Sequence, residues 1–368
     1  MNFTFHLPAK IFFGLECVAK NSAEFALWGK HALIVTGRSS AIASGALADV
    51  LAALGSHGMT WEIFDRIEEN PSFATVEAGG AAARCYKADM IIGIGGGSPL
   101  DAAKAIAVLA GNRISARQLF DGNFPAPPLP IIAVPLTAGT GSEVTQYSIL
   151  TDAERRTKRS FADRGVFPKA AFLDARYTQS LSRTVTINTA IDALSHAVEG
   201  YLSKRSNFMS DQLALNAICH FGKMIGALGR DILSIDERER LLYVSLLGGM
   251  VIAQTGTTMV HSLGYSLTYF RNIPHGRANG LLLAEALRYA EKTVPGKIAA
   301  ILEALGLHSI DELKDTMLLL LGPEEPWTAE ELETFSSIAL QAANIANTPK
   351  VPDQGDLKRV LINSAMMR

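Results

Sequence analysis

The chain has 368 residues, 48% hydrophobic and 19% charged, which excludes a disordered or low-complexity protein. At roughly 150 residues per domain, this length predicts two domains. A formal net charge of −2 without a basic cluster excludes a nucleic-acid partner and electrostatic attachment to a membrane.

The three cysteines, Cys17, Cys85 and Cys219, lie far apart without CxxC spacing and cannot pair completely, so the expected compartment is the reducing cytoplasm. MNFTFHLPAKIFFG, at the start, is broken by Pro8 and Lys10 and does not read as a signal peptide. MIIGIGGG (90–97) and TMLLLLG (316–322) fall short of the ~18 apolar residues of a membrane span.

In chain order, HALIVTG (31–37) reads as a buried strand and SGALADVLAALGSHG (44–58) as a helix ended by Gly55 or Gly58. TWEIFD (60–65) reads as a strand, and SFATVEAGGAAARCYK (72–87) as a helix weakened by Gly79 and Gly80. ADMIIGIGGGS (88–98) is a strand entering a glycine turn, followed by a helix over 99–111. PIIAVPLTAGTGSE (130–143) is a strand entering a second turn. This alternation predicts an α/β nucleotide-binding domain over 1–178, with a doubly wound, mainly parallel sheet. Beyond DARYTQSLS (174–182), helical periodicity takes over at 187–203, 209–228, 236–267, 278–291, 294–305 and 329–346. Residues 179–368 therefore read as an all-α domain.

GIGGGSPLDAAK (93–104) leaves a strand and opens a helix, with Ser98 placed to cap it, Pro99 in its first turn and Asp101 three residues past the cap. A plain capped turn needs one glycine, but three stand here in a row. Backbone N–H groups without side chains beside a helix N-terminus form an anion cradle suited to a pyrophosphate. The pattern is neither GxGxxG nor a P-loop. PLTAGTGSE (135–143) brings hydroxyls at Thr137, Thr140 and Ser142 to a neighbouring strand end.

In TAIDALSHAVEG (189–200), Asp192 and His196 share one helical face. One reading is a buried Asp–His hydrogen bond; the other is two metal ligands. His261 sits in GMVIAQTGTTMVHSLGYSL (249–267), which reads as one buried helix, and His275 in RNIPHGRANG (271–280). A continuous helix would separate these imidazoles by ~21 Å, but Pro274 disfavours it and lets the chain loop back. One carboxylate and three imidazoles could then converge, a set suited to Fe²⁺ or Zn²⁺ rather than Mg²⁺ or Ca²⁺. Four unrelated polar residues in a helical domain remain the alternative.

Four blocks, GGGSPLDAAKAIA, PLTAGTGSEVT, DALSHAVEGYLS and HSLGYSLTYFRNIPHGRANG, resemble the iron-containing (metal-dependent, group III) alcohol dehydrogenases in order and spacing. The resemblance covers almost the whole chain and is weakest over the last ~60 residues. LIVTGRSS, EENPSF and MVIAQTGTT look most like the 1,3-propanediol dehydrogenase branch. The resemblance implies that Asp192, His196, His261 and His275 hold a divalent metal, usually iron, in a cleft between the domains. It implies that Gly96, Gly97 and Ser98 bind the pyrophosphate, that Asp101, Thr137, Thr140 and Lys158 surround the nicotinamide half, and that Asn70 lies by the cofactor. Family members are commonly homodimers or larger homo-oligomers.

Two positions depart from the family pattern. Tyr265 stands where many members carry a second histidine that passes the alcohol proton outward; its unperturbed pKa near 10 makes it a poorer carrier. Leu136 replaces a threonine in PLTAGTGSE. Tyr147 matches a position near the substrate in relatives. The strand LIVT ends in Gly37, Arg38, Ser39 and Ser40, where NAD-using relatives often place an Asp on the ribose, so NADP is favoured over NAD. The expected activity is reversible hydride transfer between a primary alcohol or diol and the nicotinamide, with aldehyde reduction in reverse. A lyase of the dehydroquinate synthase type would need a polyanion pocket, and only Arg271, Arg277 and Lys204 stand near the ligands as cations. A non-catalytic nucleotide-binding protein and a metal-free reductase of the maleylacetate reductase type are disfavoured by the full ligand set.

Overall fold

The computed structural model describes residues 2–323 and 326–365. Six strands, β1 (Lys10–Phe13), β2 (His31–Thr36), β3 (Thr60–Phe64), β4 (Met90–Gly95), β5 (Ile131–Pro135) and β8 (Ala170–Leu173), form one sheet. Between β5 and β8 in the chain, β6 (Tyr147–Asp152) and β7 (Thr157–Ala162) make a separate antiparallel ribbon. The large sheet is parallel throughout, in the order β1-β8-β5-β4-β2-β3. Helices α1 (Cys17–Lys20), α2 (Ser40–Ala43), α3 (Ala46–Ser56), α4 (Phe73–Tyr86) and α5 (Gly97–Gly111) accompany it.

Burial on both faces explains why these strands read as continuous apolar runs. Ala32 and Ile34 of β2 join a core with Val50, Leu54 and Phe172, while Leu33 and Val35 join one with Val76, Ile106 and Leu109. Gly79 does not break α4. A Cβ there would lie 2.3 Å from Ile106 Cδ1, so the glycine lets α4 and α5 approach closely. From β2 the chain runs outward to β3, then crosses to β4 and continues to β5 and β8. The topological switch point thus lies between the carboxyl ends of β2 and β4, where Gly37 and Gly96 follow.

The helical part comprises α6 (Arg183–Leu202), α7 (Phe208–Gly222), α8 (Ile225–Leu228), α9 (Ile235–Thr255), α10 (Met259–Arg271), α11 (His275–Glu291), α12 (Pro295–Leu305), α13 (Ile310–Leu321), α14 (Ala329–Gln341) and α15 (Gln354–Ala365). Helix α6 is buried along most of its length, with α7, α9 and α11 packed against it. By Cα proximity the chain divides into two compact units. One is Leu7–Thr137 with Gly141–Leu181. The other takes in the N-terminal residues through His6, Ala138–Thr140 and the described residues from Ser182 onward.

Several sequence expectations need correction. The stretch 249–267 is not one helix: α9 stops at Thr255, Gly256 takes φ +64°, and α10 departs at 111°. Likewise 209–228 divides into α7 and α8, and 329–346 ends as a 3₁₀ turn over Ala343–Asn347. Helix α3 ends at Ser56 with His57 as its C-cap, and of the two glycines it is Gly58, left-handed at φ +64°, that ends it, while Gly55 lies inside the last turn. Ser98 is not the cap of α5. Gly96 holds that place in extended conformation, the helix starts at Gly97, and the Ser98 hydroxyl accepts from Asn70 N–H at 3.1 Å instead. Strands β1, β6, β7 and β8 and helices α13 and α15 carried no sequence expectation. No single helix among the described residues is long and apolar enough to cross a membrane.

Candidate metal centre and cofactor cradle

Helix α6 presents Asp192, His196 and Glu199 on one buried face, at spacings of four and three residues. Helix α10 brings His261 from its first turn. It ends at Arg271; Asn272 turns left-handed with φ +54°, and Pro274 precedes the new helix that His275 opens. Donor atoms of Asp192, His261 and His275 all lie within 4.8 Å of one another. Asp192 Oδ1 is 3.7 Å from His261 Nε2 and 3.9 Å from His275 Nε2. His196 joins through His261, with the two Nε2 atoms 3.0 Å apart.

The partners of the other ring nitrogens make this arrangement informative. Glu199 Oε2 meets His261 Nδ1, and Gly139 O lies 3.3 Å from His196 Nδ1. A carboxylate and a carbonyl only accept, so each assigns the hydrogen to Nδ1 and leaves Nε2 as a bare lone pair. Two lone pairs then face each other, with an anionic oxygen close by. A cation among them turns that repulsion into attraction, so the donor set fits a divalent ion, and its imidazole content fits Fe²⁺ or Zn²⁺. Burial pushes the His196 pKa down, favouring the neutral, ligating form. Burial alone would raise the Glu199 carboxyl, but the adjoining His261 imidazole and hydrogen bonds from His261 and Thr258 outweigh it and hold the group below its ordinary range.

Two residues of this cluster went unread in the sequence. Glu199 accepts, on Oε1, from Thr258 N–H (2.8 Å), Thr258 Oγ1 (2.6 Å) and Val260 N–H (3.1 Å). Asn279 Nδ2 lies 2.9 Å from Asp192 Oδ1, 3.1 Å from His261 Nε2 and 3.3 Å from His275 Nε2, while its buried Oδ1 meets no hydrogen-bond donor. An acid seven residues past Asp192 in a buried helix, and an amide four residues past His275, were the available signals. The Tyr265 ring stacks on His275 at 5.7 Å between centroids and stands edge-on to His261 at 6.4 Å.

In the sheet unit, the turns after β4 and β5 lie side by side. A Cβ on Gly96 would touch Thr137 Cγ2 at 3.1 Å. Asn70, at φ +60°, donates to Ser98 and accepts from Thr151 Oγ1 through its carbonyl. Lys158, on β7, pairs across the ribbon with Thr151. Asp101 accepts from Ser142 Oγ at 2.7 Å and Ile149 N–H at 3.1 Å. The buried Lys104 donates to Ser142 Oγ, Thr145 Oγ1 and the Tyr147 carbonyl, pinning the 142–149 segment to α5. Arg38, Ser39 and Ser40 are exposed at the exit of β2, and Gly37 is half-buried. Thr140 groups with the helical unit rather than with Thr137.

A parallel sheet with glycine turns at its switch point has the form of a dinucleotide-binding unit, and here it is joined in one chain to a helical unit bearing an Asp–His cluster. The model of the iron-containing alcohol dehydrogenases matches residues 8–175, and that of the C-terminal part of the same family matches 186–365. The chain belongs to the iron-containing alcohol dehydrogenase family, and it is an NAD(P)-dependent alcohol dehydrogenase. It is 34% identical to the 1,3-propanediol dehydrogenase of Klebsiella pneumoniae over 310 residues, 83% of this chain and 79% of that one. It is 31% identical to the NADPH-dependent butanol dehydrogenase of Clostridium saccharobutylicum over 380 residues, 97% and 96% of the two chains. The solved iron-containing alcohol dehydrogenase of Thermotoga maritima superposes with a TM-score of 0.93 at 38% identity, covering 99% of both chains.

Proposed function

We propose that this enzyme interconverts short primary alcohols or diols and their aldehydes with NADP(H), using one divalent ion, Fe²⁺ by preference and Zn²⁺ as an alternative, held by Asp192, His196, His261 and His275. The observation that carries this reading is the convergence of those donors with Nε2 lone pairs turned inward. A divalent ion there supplies Lewis acidity toward an alcohol or carbonyl oxygen. Around it the chain's own residues orient and exclude. Glu199 and Asn279 fix the ligands, the stacked Tyr265 ring walls the site beside His275, and its phenol is the group we assign to relaying the alcohol proton.

In this reading residues 1–178 form the dinucleotide-binding domain and 179–368 the metal- and substrate-binding domain. Gly96, Gly97 and Ser98 receive the pyrophosphate, supported by their place at a helix start beside the switch point. Asn70, Asp101, Thr137, Thr140 and Lys158 surround the rest of the cofactor, and Tyr147 faces the substrate. The exposed Arg38, Ser39 and Ser40 after Gly37 supply charge and hydroxyls for a 2′-phosphate where a carboxylate would repel it. The butanol dehydrogenase similar to this chain is named as NADPH-dependent. We place the enzyme in the cytoplasm as a homodimer or larger homo-oligomer.

The test is metal analysis of anaerobically purified protein, followed by steady-state kinetics on propanal, butanal, lactaldehyde and 1,3-propanediol with both cofactors. One equivalent of divalent metal and a higher catalytic efficiency with NADPH are expected. His275→Ala should lose both metal and turnover. Wild-type metal content and rate in that variant would overturn the ligand assignment.

A further inference from the structure

We infer that Glu199 is a positioning residue of the metal centre: by accepting the hydrogen of His261 Nδ1, it selects the tautomer that offers a bare Nε2 to the ion. The inference rests on the metal reading above and deepens it.

Glu199 does two separable things. Oε1 gathers Thr258 N–H, Thr258 Oγ1 and Val260 N–H, and so caps the first turn of α10 where the chain bends away from α9. A cap needs only that one oxygen. Oε2 is instead aimed at His261 Nδ1, with both side chains buried. An imidazole whose Nδ1–H is held by a carboxylate cannot carry its hydrogen on Nε2 while neutral. The same contact fixes the ring plane. Because Glu199 stands on α6, three residues past His196 and seven past Asp192, it ties the ligand from α10 to the helix that supplies two of the other three.

Replacing the carboxylate by a carboxamide reverses the tautomer without removing the cap. Gln at 199 keeps its oxygen on the converging donors of α10, since the opposite orientation would set its N–H₂ against them. The N–H₂ then faces His261 Nδ1, which must accept, and the hydrogen moves to Nε2. There, 3.0 Å away, His196 Nε2 accepts it. That hydrogen thus keeps an acceptor in the metal-free variant, and Asn279 Nδ2 keeps Asp192 Oδ1, but one ligand lone pair is lost.

The experiment titrates metal-free wild type, Glu199→Gln and Thr258→Val with Co²⁺, followed by its visible absorption, and records thermal unfolding of each without metal. Glu199→Gln should weaken Co²⁺ binding by about 10–100-fold, the usual consequence of losing a partner behind a ligating histidine. Thr258→Val removes part of the cap but not the His261 contact, so it should lower the melting temperature and leave Co²⁺ affinity within about threefold of wild type. Glu199→Gln affinity equal to wild type, or an equal loss in both variants, would overturn the proposal. Long-range ¹H–¹⁵N spectra of metal-free, ¹⁵N-histidine-labelled wild type decide the matter even if Glu199→Gln does not fold. The resonance lost in His261→Asn should report a hydrogen on Nδ1, and one on Nε2 would overturn the proposal. Wild type that takes up no Co²⁺ yet shows the Nδ1 hydrogen would instead refute the metal reading.

Discussion

Gly276 gives the sharpest test of how the ligand spacing is set. It follows His275 in the first turn of α11, where that helix meets α6. A Cβ there would lie 1.8 Å from Asn188 O and 3.1 Å from Asp192 Cβ, and real Cβ atoms do not approach below 3.0 Å. For Gly276→Ala, the start of α11 must therefore withdraw from α6 by at least 1.2 Å, the difference between 3.0 and 1.8 Å. The neighbouring His275 moves with it, away from Asp192, whose Oδ1 now lies 3.9 Å from His275 Nε2. Metal–ligand distances tolerate only about 0.2 Å, so the displacement exceeds the tolerance several-fold. We expect Co²⁺ affinity to fall by about 100-fold or more, the upper end of what a displaced ligand shell costs, with a packing penalty of about 1–3 kcal/mol. Gly296→Ala is the control. Its Cβ meets nothing within 4 Å, and it should stabilise by about 0.4–1 kcal/mol without touching metal affinity. Co²⁺ titration and chelator-dependent thermal unfolding read both effects. Gly276→Ala protein with wild-type affinity would refute the claim that the α6–α11 contact sets the ligand spacing.

The sheet unit was legible because its physics is local. Strands buried on both faces are continuous apolar runs, and a triple glycine running from the last residue of β4 to the first of α5 marks a strand end whatever surrounds it. The unread strands are short. β1 and β8 have four residues each, and β6–β7 is a polar ribbon with Lys158, Arg159 and Asp152 in it. In the helical unit, periodicity found the helices but not the break at 256–258. Gly256 allows the turn, but the acceptor that fastens the start of α10 is Glu199, some sixty residues earlier. The same distance hid the role of Glu199 itself. Nothing local shows that an acid in HAVEGY meets the backbone of a later helix. Ser98 misled for a different reason: it has the chemistry of a cap, but Gly96 reaches the extended conformation first, leaving the hydroxyl to Asn70.

Tyr265→Phe keeps the stack on His275 and removes the hydroxyl, so kcat should fall by at most about tenfold with an altered pH profile; kinetics unchanged across pH would reduce Tyr265 to a space-filling role. Gly37→Asp should lower the NADP-to-NAD ratio of kcat/KM by about 10–100-fold, from one charged contact of about 1.5–3 kcal/mol. A Cβ on Gly37 meets only Ile67 O at 3.5 Å and Ser40 Oγ at 3.8 Å, so the aspartate fits without strain and an unchanged ratio would refute the cofactor assignment. Glu143→Gln tests the buried charges behind the cofactor turn. Burial pushes the Glu143 carboxyl from 4.5 up to about 7, with its backbone hydrogen bond and the nearby Lys104 charge offsetting only part of the cost. A raised carboxyl pKa means that the unfolded chain releases its proton first, so stability is full below 4.5 and falls as pH rises toward about 7. At 1.36 kcal/mol per pKa unit the loss is about 3 kcal/mol. Removing the carboxylate also withdraws its support from the Lys104 ammonium, which burial holds at about 8, so the net gain is smaller. Melting temperatures of wild type and Glu143→Gln should therefore agree near pH 4, where the carboxyl is protonated in both the folded and the unfolded chain, and diverge in favour of the variant at pH 8. A difference that stays constant between those pH values would show that Glu143 does not titrate in the folded protein.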